Sequence, residues 1–525
     1  MPPIPNLTAA DFLPLWPAVV LSLAGILLLL SEVFLKATER EGESVRSYQA
    51  ILTVAASVGA GLLALGLAFE PGRPVFLGFA VLDPFSSFIT AVVCLGLGLA
   101  ALLADGFLRS RKAERGEFYA LLLFATAGMS LLAMSSELIM LFVSLEVMSI
   151  ATYALASYLR RGPRPTEAGF KYFILGAFSS ALFLYGAALL YSATGTTSLG
   201  GLATEVGRIF ATPASDRRLL VYCGMALLTA GLGFKVAAVP FHMWAPDVYE
   251  GAPTPVTALM SVGVKAAAFA ALVRVFVSVG RHVDPAVPVL VFSTLAILTM
   301  VVGNLVALPQ RNVKRMLAYS SISHAGYLLV GVTALFVPQA RVGLPGVTVL
   351  AAGTRADQAD ALRAILFYLL AYTVTAVGAF GVVGALERQE DETRGFGWDL
   401  DRFSGLAQRR PGWATAMAAF MLSLGGIPPL AGFMGKLFIF RSAVDSGLVT
   451  LAVVGVLTSA VGAYYYLRVV VYMFMRPSPE QATLAPRQWG TEIALAVTAV
   501  LVVLLGVAPG LVSHWLAPAG HLFGL

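Results

Sequence analysis

About fourteen stretches of this chain are apolar for long enough to cross roughly 30 Å of hydrocarbon, and no other feature constrains the fold so much. The first core covers 12 to 36 and the last 490 to 514. Those that matter most below are the fifth (137 to 159), seventh (218 to 239), eighth (254 to 280), tenth (312 to 336), twelfth (411 to 445) and thirteenth (447 to 474). With 58% hydrophobic and only 12% charged residues among 525, ordinary soluble composition is excluded. The expectation is an all-α polytopic membrane protein of about 14 transmembrane helices.

The flanking loops orient such a chain. Loops after odd-numbered spans hold about 20 Lys and Arg, including 109-RSRKAER-115 and 160-RRGPR-164, against about nine after even-numbered spans. Both termini are therefore expected outside the cytoplasm. The first run lacks a basic leader and a small-residue cleavage site, so it reads as a retained helix. The net charge of +6 comes from these loops and carries no nucleic-acid meaning. Cys94 and Cys223 stand alone in separate spans, read as buried small hydrophobes, and cannot hold an iron–sulfur cluster. No nucleotide-binding glycine motif occurs. The longest polar loops, 194 to 217, 337 to 360 and 386 to 410, are too short to suggest a separate soluble domain.

Two stretches interrupt helical regularity inside apolar context: 239-VPFHMWAPDVYEGAPTPV-256 and 425-GGIPPLAGFMGK-436. Such breaks are tolerated in a membrane only where protein or water covers the freed backbone. They fall in spans seven and twelve, the fourth spans of two possible five-span units, four to eight and nine to thirteen. Paired interruptions of this kind point to a repeat, and an odd number of spans per unit would invert one unit relative to the other. The alternative is that proline-kinked helices are common and the correspondence is chance.

The charges inside the apolar runs carry the chemistry. The chain has 28 arginines but only seven lysines, Lys36, Lys112, Lys171, Lys235, Lys265, Lys314 and Lys436. Three lysines are embedded: Lys235 in 231-GLGFKVAAVPFHMW-244, Lys265 in 261-SVGVKAAAFAAL-272 and Lys436 in 431-AGFMGKLFIF-440. Glu146, in 141-LFVSLEVMSIATY-153, is the matching anion. Each such group costs about 2.5–3.5 kcal/mol to insert, so four require a reason. Arginine stays charged at any accessible pH, whereas a desolvated lysine can release its proton. Salt bridges that merely hold helices together are the alternative, although one carboxylate cannot neutralise three lysines. A charge about 10 Å away at an effective dielectric near 20 is worth roughly 1.7 kcal/mol, enough to pass protonation from site to site.

Span ten adds a polar stripe. In 314-KRMLAYSSISHAGY-327, Ser320, Ser321, His324 and Tyr327 fall within about 120° of helical arc. Such a face can line a hydrated path on which His324 relays a proton, or His324 can be a hydrogen-bonded core histidine. His242 reads as a tie for exposed backbone in the first break, while His282, His514 and His521 have no constellation around them. Glu32 and Asp83 lie near span ends, where solvent can reach them, and Glu137 opens a span. Asp247 and Glu250 read as helix caps, Glu167 and Lys171 as an i, i+4 pair, and Arg468 as a residue that snorkels.

Four stretches together, 169-GFKYFILGAFSSALFLYG-186, 240-PFHMWAPDVYEGAPTPVTALMS-261, 314-KRMLAYSSISHAGYLL-329 and 423-SLGGIPPLAGFMGK-436, resemble the subunit N family of the proton-pumping NADH-quinone oxidoreductases, respiratory complex I. The likeness runs over nearly the whole chain and is weakest in the first 116 residues. It implies fourteen helices: three peripheral ones (1–116), two inverted five-helix repeats (117–280 and 286–474) and a last span (475–525). Spans seven and twelve would be broken. The family's proton-transferring residues fall on Glu146, Lys235, Lys265 and Lys436, with Lys235 paired to Glu146 and with Ser320, Ser321, His324 and Tyr327 as possible relay groups. Lys436, where subunit M typically has glutamate, and the early end after span fourteen, where subunit L has a long extra helix, favour the N type.

The resemblance also implies a bacterial plasma membrane location and neighbours of the M and K type, with membrane lipids around them. No cofactor or metal is expected in the chain; NADH, FMN, iron–sulfur clusters and quinone would be bound by other subunits. A subunit of a multi-subunit cation/proton antiporter or membrane-bound hydrogenase shares these features. A structural subunit that closes the membrane arm without conducting is a third reading.

Overall fold

The computed structural model describes residues 12–35, 47–160, 162–212, 215–337, 355–387, 398–478 and 487–522. Lys36, Arg161 and much of the loops 337 to 360 and 386 to 410 lie outside the described residues. Helices α1 (Trp16–Leu35) and α2 (Ser47–Leu67) come first. A short antiparallel pair, β1 (Arg73–Val75) and β2 (Ala80–Leu82), follows with Arg73 opposite Leu82. It leads into α3 (Pro84–Ser110). Asp83 caps α3 by accepting from the Ser86 amide at 2.8 Å, and Pro84 starts the helix where no amide donor is needed.

The chain then runs through α4 (Gly116–Met134), α5 (Leu138–Ala156), α6 (Pro163–Thr194) and α7 (Arg217–Val236), and through α8 (Thr254–Gly280), α9 (Ala286–Ala307), α10 (Val313–Ala334) and α11 (Arg355–Leu386). It ends with two short helices, α12a (Pro411–Gly425) and α12b (Ala431–Asp445), then α13 (Val449–Met475) and α14 (Trp489–Val507). Twelve helices among the described residues are long and apolar enough to cross a membrane. The expected tenth and twelfth spans fall outside that twelve. α10 is 22 residues long but carries the polar stripe, and α12a and α12b have only 15 residues each.

α8 lies at the centre and is buried along its whole length. Its alanine-rich 265-KAAAFAAL-272 lets neighbours approach closely, as small residues do where no hydrophobic driving force separates protein from lipid. α9 and α13 lie at the periphery and expose Leu290, Leu298, Val453 and Leu457.

Several expectations change with the packing. Cys94 is buried as expected, but Cys223 is exposed on the outer face of α7. Asp83 is fully buried rather than solvated, and its carboxylate meets Arg274 of α8 at 2.6 Å. Arg274, unremarked in the sequence, also donates to the Ala133 carbonyl at 2.6 Å, so a third element, α4, closes the pair. Arg468 does not snorkel; its guanidinium donates to the carbonyls of Leu308 (2.9 Å) and Gln310 (2.5 Å), which the end of α9 leaves free. Asp247 and Glu250 are ion-pair partners rather than caps. Asp247 meets Lys171 (2.7 Å) and Arg315 (2.8 Å), and Glu250 meets Arg315 (2.9 Å). The Glu167–Lys171 pair forms as expected, at 2.6 Å.

Candidate functional site

α7 stops because Pro240 cannot continue it, and Ala237 turns into the left-handed region (φ 59). The freed backbone is covered by protein. Trp244 Nε1 donates to the Phe234 carbonyl at 2.8 Å, and Thr299 of α9 accepts from the Val239 amide at 2.9 Å. Lys235 occupies the last turn before this break and is 1% exposed. Its ammonium donates to Ser149 Oγ (2.7 Å) and to the Tyr153 hydroxyl (3.1 Å), both on α5. It also lies 5.1 Å and 5.7 Å from the ring centres of Tyr153 and Tyr172, within cation–π range.

Glu146 stands one turn before Ser149 on the same face of α5. Its carboxylate accepts from the Ser180 hydroxyl of α6. The expected direct pairing with Lys235 is absent, because Ser149 and Tyr153 lie nearer and take the ammonium. Coupling between the two is Coulombic, across about one helical turn. Gly176 of α6 faces this contact: a Cβ there would stand 2.0 Å from the Tyr153 hydroxyl oxygen.

Lys265 follows directly on a single π-helical turn, Met260–Val264, inside α8. Such turns rotate the next side chain out of α-helical register. Its ammonium reaches Ser321 of α10, donating to both the carbonyl and the hydroxyl at 2.5 Å. The ammonium also lies 5.8 Å from the ring centre of Tyr372. One turn on, His324 is held between two tyrosines: Nδ1 meets Tyr368 of α11 at 2.6 Å, and Nε2 meets Tyr466 of α13 at 3.1 Å. Tyr466 also meets the Ser320 hydroxyl. His324 lies within electrostatic reach of both Lys265 and Lys436.

The second break places its lysine differently. α12a ends with Gly426 in the left-handed region (φ 81), and Lys436 sits beyond the break, on α12b. Its ammonium returns to the Leu424 carbonyl (2.8 Å), one of the unpaired carbonyls at the negative end of α12a, and to Ser459 Oγ of α13 (2.7 Å). Gly432 is required here: a Cβ would stand 2.0 Å from the Ser423 carbonyl oxygen, while its amide donates to Ser423 Oγ at 2.9 Å.

The eight residues singled out from the sequence fall into two polar groups: Glu146 and Lys235 at α5, and Lys265, Ser320, Ser321 and His324 around α10, with Tyr327 and Lys436 beside the second. Ser320, Ser321, His324 and Tyr327 do share a face, but it packs against tyrosines and is 3% exposed or less at each position. The Tyr327 ring meets that of His324 edge-on, with centres 5.6 Å apart, while its hydroxyl reaches Asn304 of α9 and its ring lies 5.0 Å from the Lys436 ammonium. Sequence reasoning missed the tyrosines that join these groups: Tyr153, Tyr172, Tyr368, Tyr372 and Tyr466. A signal existed in 367-FYLLAY-372, where Tyr368 and Tyr372 share one helical face.

Beyond the first break, the helix Trp244–Gly251 is clamped to α6 and α10 by the ion pairs of Asp247 and Glu250. Burial pushes the Asp247 carboxyl up, but hydrogen bonds from Lys171 and Arg315 prevail and hold it below the usual carboxylate range.

Comparison with known proteins places this geometry in context. The family described as NADH:quinone oxidoreductase/Mrp antiporter, TM, matches residues 135–344 and 342–462. A relative from Myxococcus xanthus, NADH-quinone oxidoreductase subunit N, is 65% identical over 99% of both chains. Among solved structures, a chain of respiratory complex I from Thermus thermophilus is 35% identical with a TM-score of 0.75, over 96% of this chain and 100% of that one. A chain of an archaeal membrane-bound sulfane sulfur reductase is 25% identical with a TM-score of 0.78, over 96% of each chain.

Proposed function

This chain belongs to the NADH:quinone oxidoreductase/Mrp antiporter family of membrane subunits, and from that premise we propose that it is the N-type subunit of a proton-translocating NADH-quinone oxidoreductase. The observation that carries the reading is the row of three buried lysines and one histidine, each on neutral hydroxyl or carbonyl partners with no carboxylate in contact. Lysines serving only as structural cations would be paired with anions, as Arg274 is with Asp83. These are arranged to gain and lose protons instead.

In this reading Glu146, half-buried at the edge of the row, receives the electrostatic signal from a neighbouring subunit. A change in its charge alters the balance at Lys235, which is bound one turn further along α5 at Ser149. Lys265, Ser321 and His324 pass the proton on, and Lys436 receives it at the second break. NADH, FMN, iron–sulfur clusters and quinone are held by other subunits, whose redox reaction supplies the energy. The neighbours are of the M and K type, and the membrane is the bacterial plasma membrane, with both termini outside the cytoplasm. The two breaks mark inverted five-helix repeats, 117–280 and 286–474, flanked by the first three helices and the last. The 65% identity to a subunit N favours this reading over an antiporter or hydrogenase subunit.

Lys235→Ala or Lys265→Ala, in the assembled complex reconstituted into vesicles, is expected to lower protons translocated per quinone reduced. Parent-like ratios in both variants overturn the reading in favour of a non-conducting structural subunit.

A further inference from the structure

Between His324 and Lys436 lies a second line of polar side chains, in which Tyr465 and Asn304 have had no role so far. Tyr466, on one nitrogen of His324, adjoins Tyr465, whose ring centre is 4.4 Å from its own. The Tyr465 hydroxyl donates to Oδ1 of Asn304 on α9 at 3.0 Å. Nδ2 of Asn304 donates in turn to the Tyr327 hydroxyl at 3.1 Å and to the Met300 carbonyl at 2.8 Å. The Tyr327 ring in turn lies 5.0 Å from the Lys436 ammonium, which donates to Ser459 Oγ at 2.7 Å. Asn304 is the one group on this line that is not a tyrosine or serine.

The carboxamide orientation is determined by its surroundings. The Met300 carbonyl only accepts, so Nδ2 must face it, and Oδ1 faces Tyr465. Tyr465 therefore donates to Asn304, and Tyr327 accepts from it on the side nearer Lys436. Asn304 is 1% exposed, and Gly462 of α13 leaves the room its oxygen occupies: a Cβ there would stand 2.8 Å from Oδ1.

A hydroxyl oxygen can take a proton from one side and release another to the other side. A carboxamide accepts on oxygen and donates from nitrogen, so a proton crossing it would leave the imidic acid tautomer behind. We propose that Asn304 is a positioning residue that orients the hydroxyls on either side and interrupts direct proton hopping between His324 and Lys436. The inference rests on the proton-transfer reading above. It makes passage between the two sites depend on rearrangement of the row, which a pump needs and an open wire would defeat.

The test uses the whole complex in proteoliposomes. Asn304→Asp places a group there that can bind and release a proton. It is expected to translocate fewer protons per quinone reduced and to dissipate an imposed pH gradient faster than the parent when no substrate is present. Asn304→Ser, smaller and also able to accept and donate at one atom, is expected to do the same and carries the test if the aspartate variant fails to assemble. Asn304→Leu removes the link and should keep gradient decay at the parent rate. Parent-like ratios and decay in the Asp and Ser variants overturn the proposal. Lys265→Ala in the same preparation separates the two failures: undiminished pumping there removes the proton-transfer reading itself, whereas loss there beside a proton-tight Asn304→Asp removes only the role of Asn304.

Discussion

At the scale of single residues, the choice of lysine over arginine is the informative one. Lys265 donates to the Ser321 carbonyl and hydroxyl, partners that an arginine fork could also use. Lys265→Arg keeps the charge and removes the ability to release a proton, so the complex should translocate fewer protons per quinone reduced, as Lys265→Ala does. A normal ratio in proteoliposomes would mean that fixed charge suffices at this position. Glu146, Lys235, Lys265 and Lys436 were legible in the sequence because an ionisable group in hydrocarbon is costly wherever it points. Their partners were not. Tyrosine is at home in apolar helices, so Tyr153, Tyr368 and Tyr466 stand out only once packing brings the first onto Lys235 and the other two onto His324. The Glu146–Lys235 contact failed for a related reason. Spacing places residues on facing helices but does not decide which of Glu146, Ser149 and Tyr153 along one face of α5 lies nearest the ammonium.

At the scale of elements, glycines set how closely the site helices approach. Gly176→Ala on α6 would drive a methyl group into the Tyr153 hydroxyl and force that ring off its rotamer, at about 0.5–1.5 kcal/mol. The chain should still assemble, while the Lys235–Tyr153 contact loosens and coupled proton uptake by vesicles slows. An unchanged rate would show that Ser149 alone positions Lys235. The two breaks were legible from Pro and Gly within apolar context, and both appear where expected. Their interior chemistry was not legible. Lys235 ends the helix before its break, whereas Lys436 begins the helix after its own and folds back onto the Leu424 carbonyl.

Across the whole molecule, α8 is the axis, and Arg274 pins one end of it to the cap of α3. Arg274→Leu leaves the Asp83 carboxylate buried without its guanidinium, a loss of about 3–5 kcal/mol for breaking one partner of such a pair. Less assembled complex should be recovered from membranes, and Asp83→Asn added to Arg274→Leu should restore part of it. No recovery in the double variant would show that the arginine acts mainly through the Ala133 carbonyl. The sequence hid this pair because Asp83 sits at the start of an apolar run, where water was the default partner, and 191 positions separate it from Arg274.

The two expected spans that fall outside the twelve apolar helices, α10 and the α12a–α12b pair, are the ones that carry His324 and Lys436. A segment too polar or too short gains little by leaving the translocon for lipid alone. α10 is made before α11 and α13, and the α12 pair before α13, so their settling in the bilayer awaits the later helices that bring the Tyr368, Tyr466 and Ser459 hydroxyls. The groups placed to move protons are thus also the groups whose delivery into the membrane depends on the order of biogenesis.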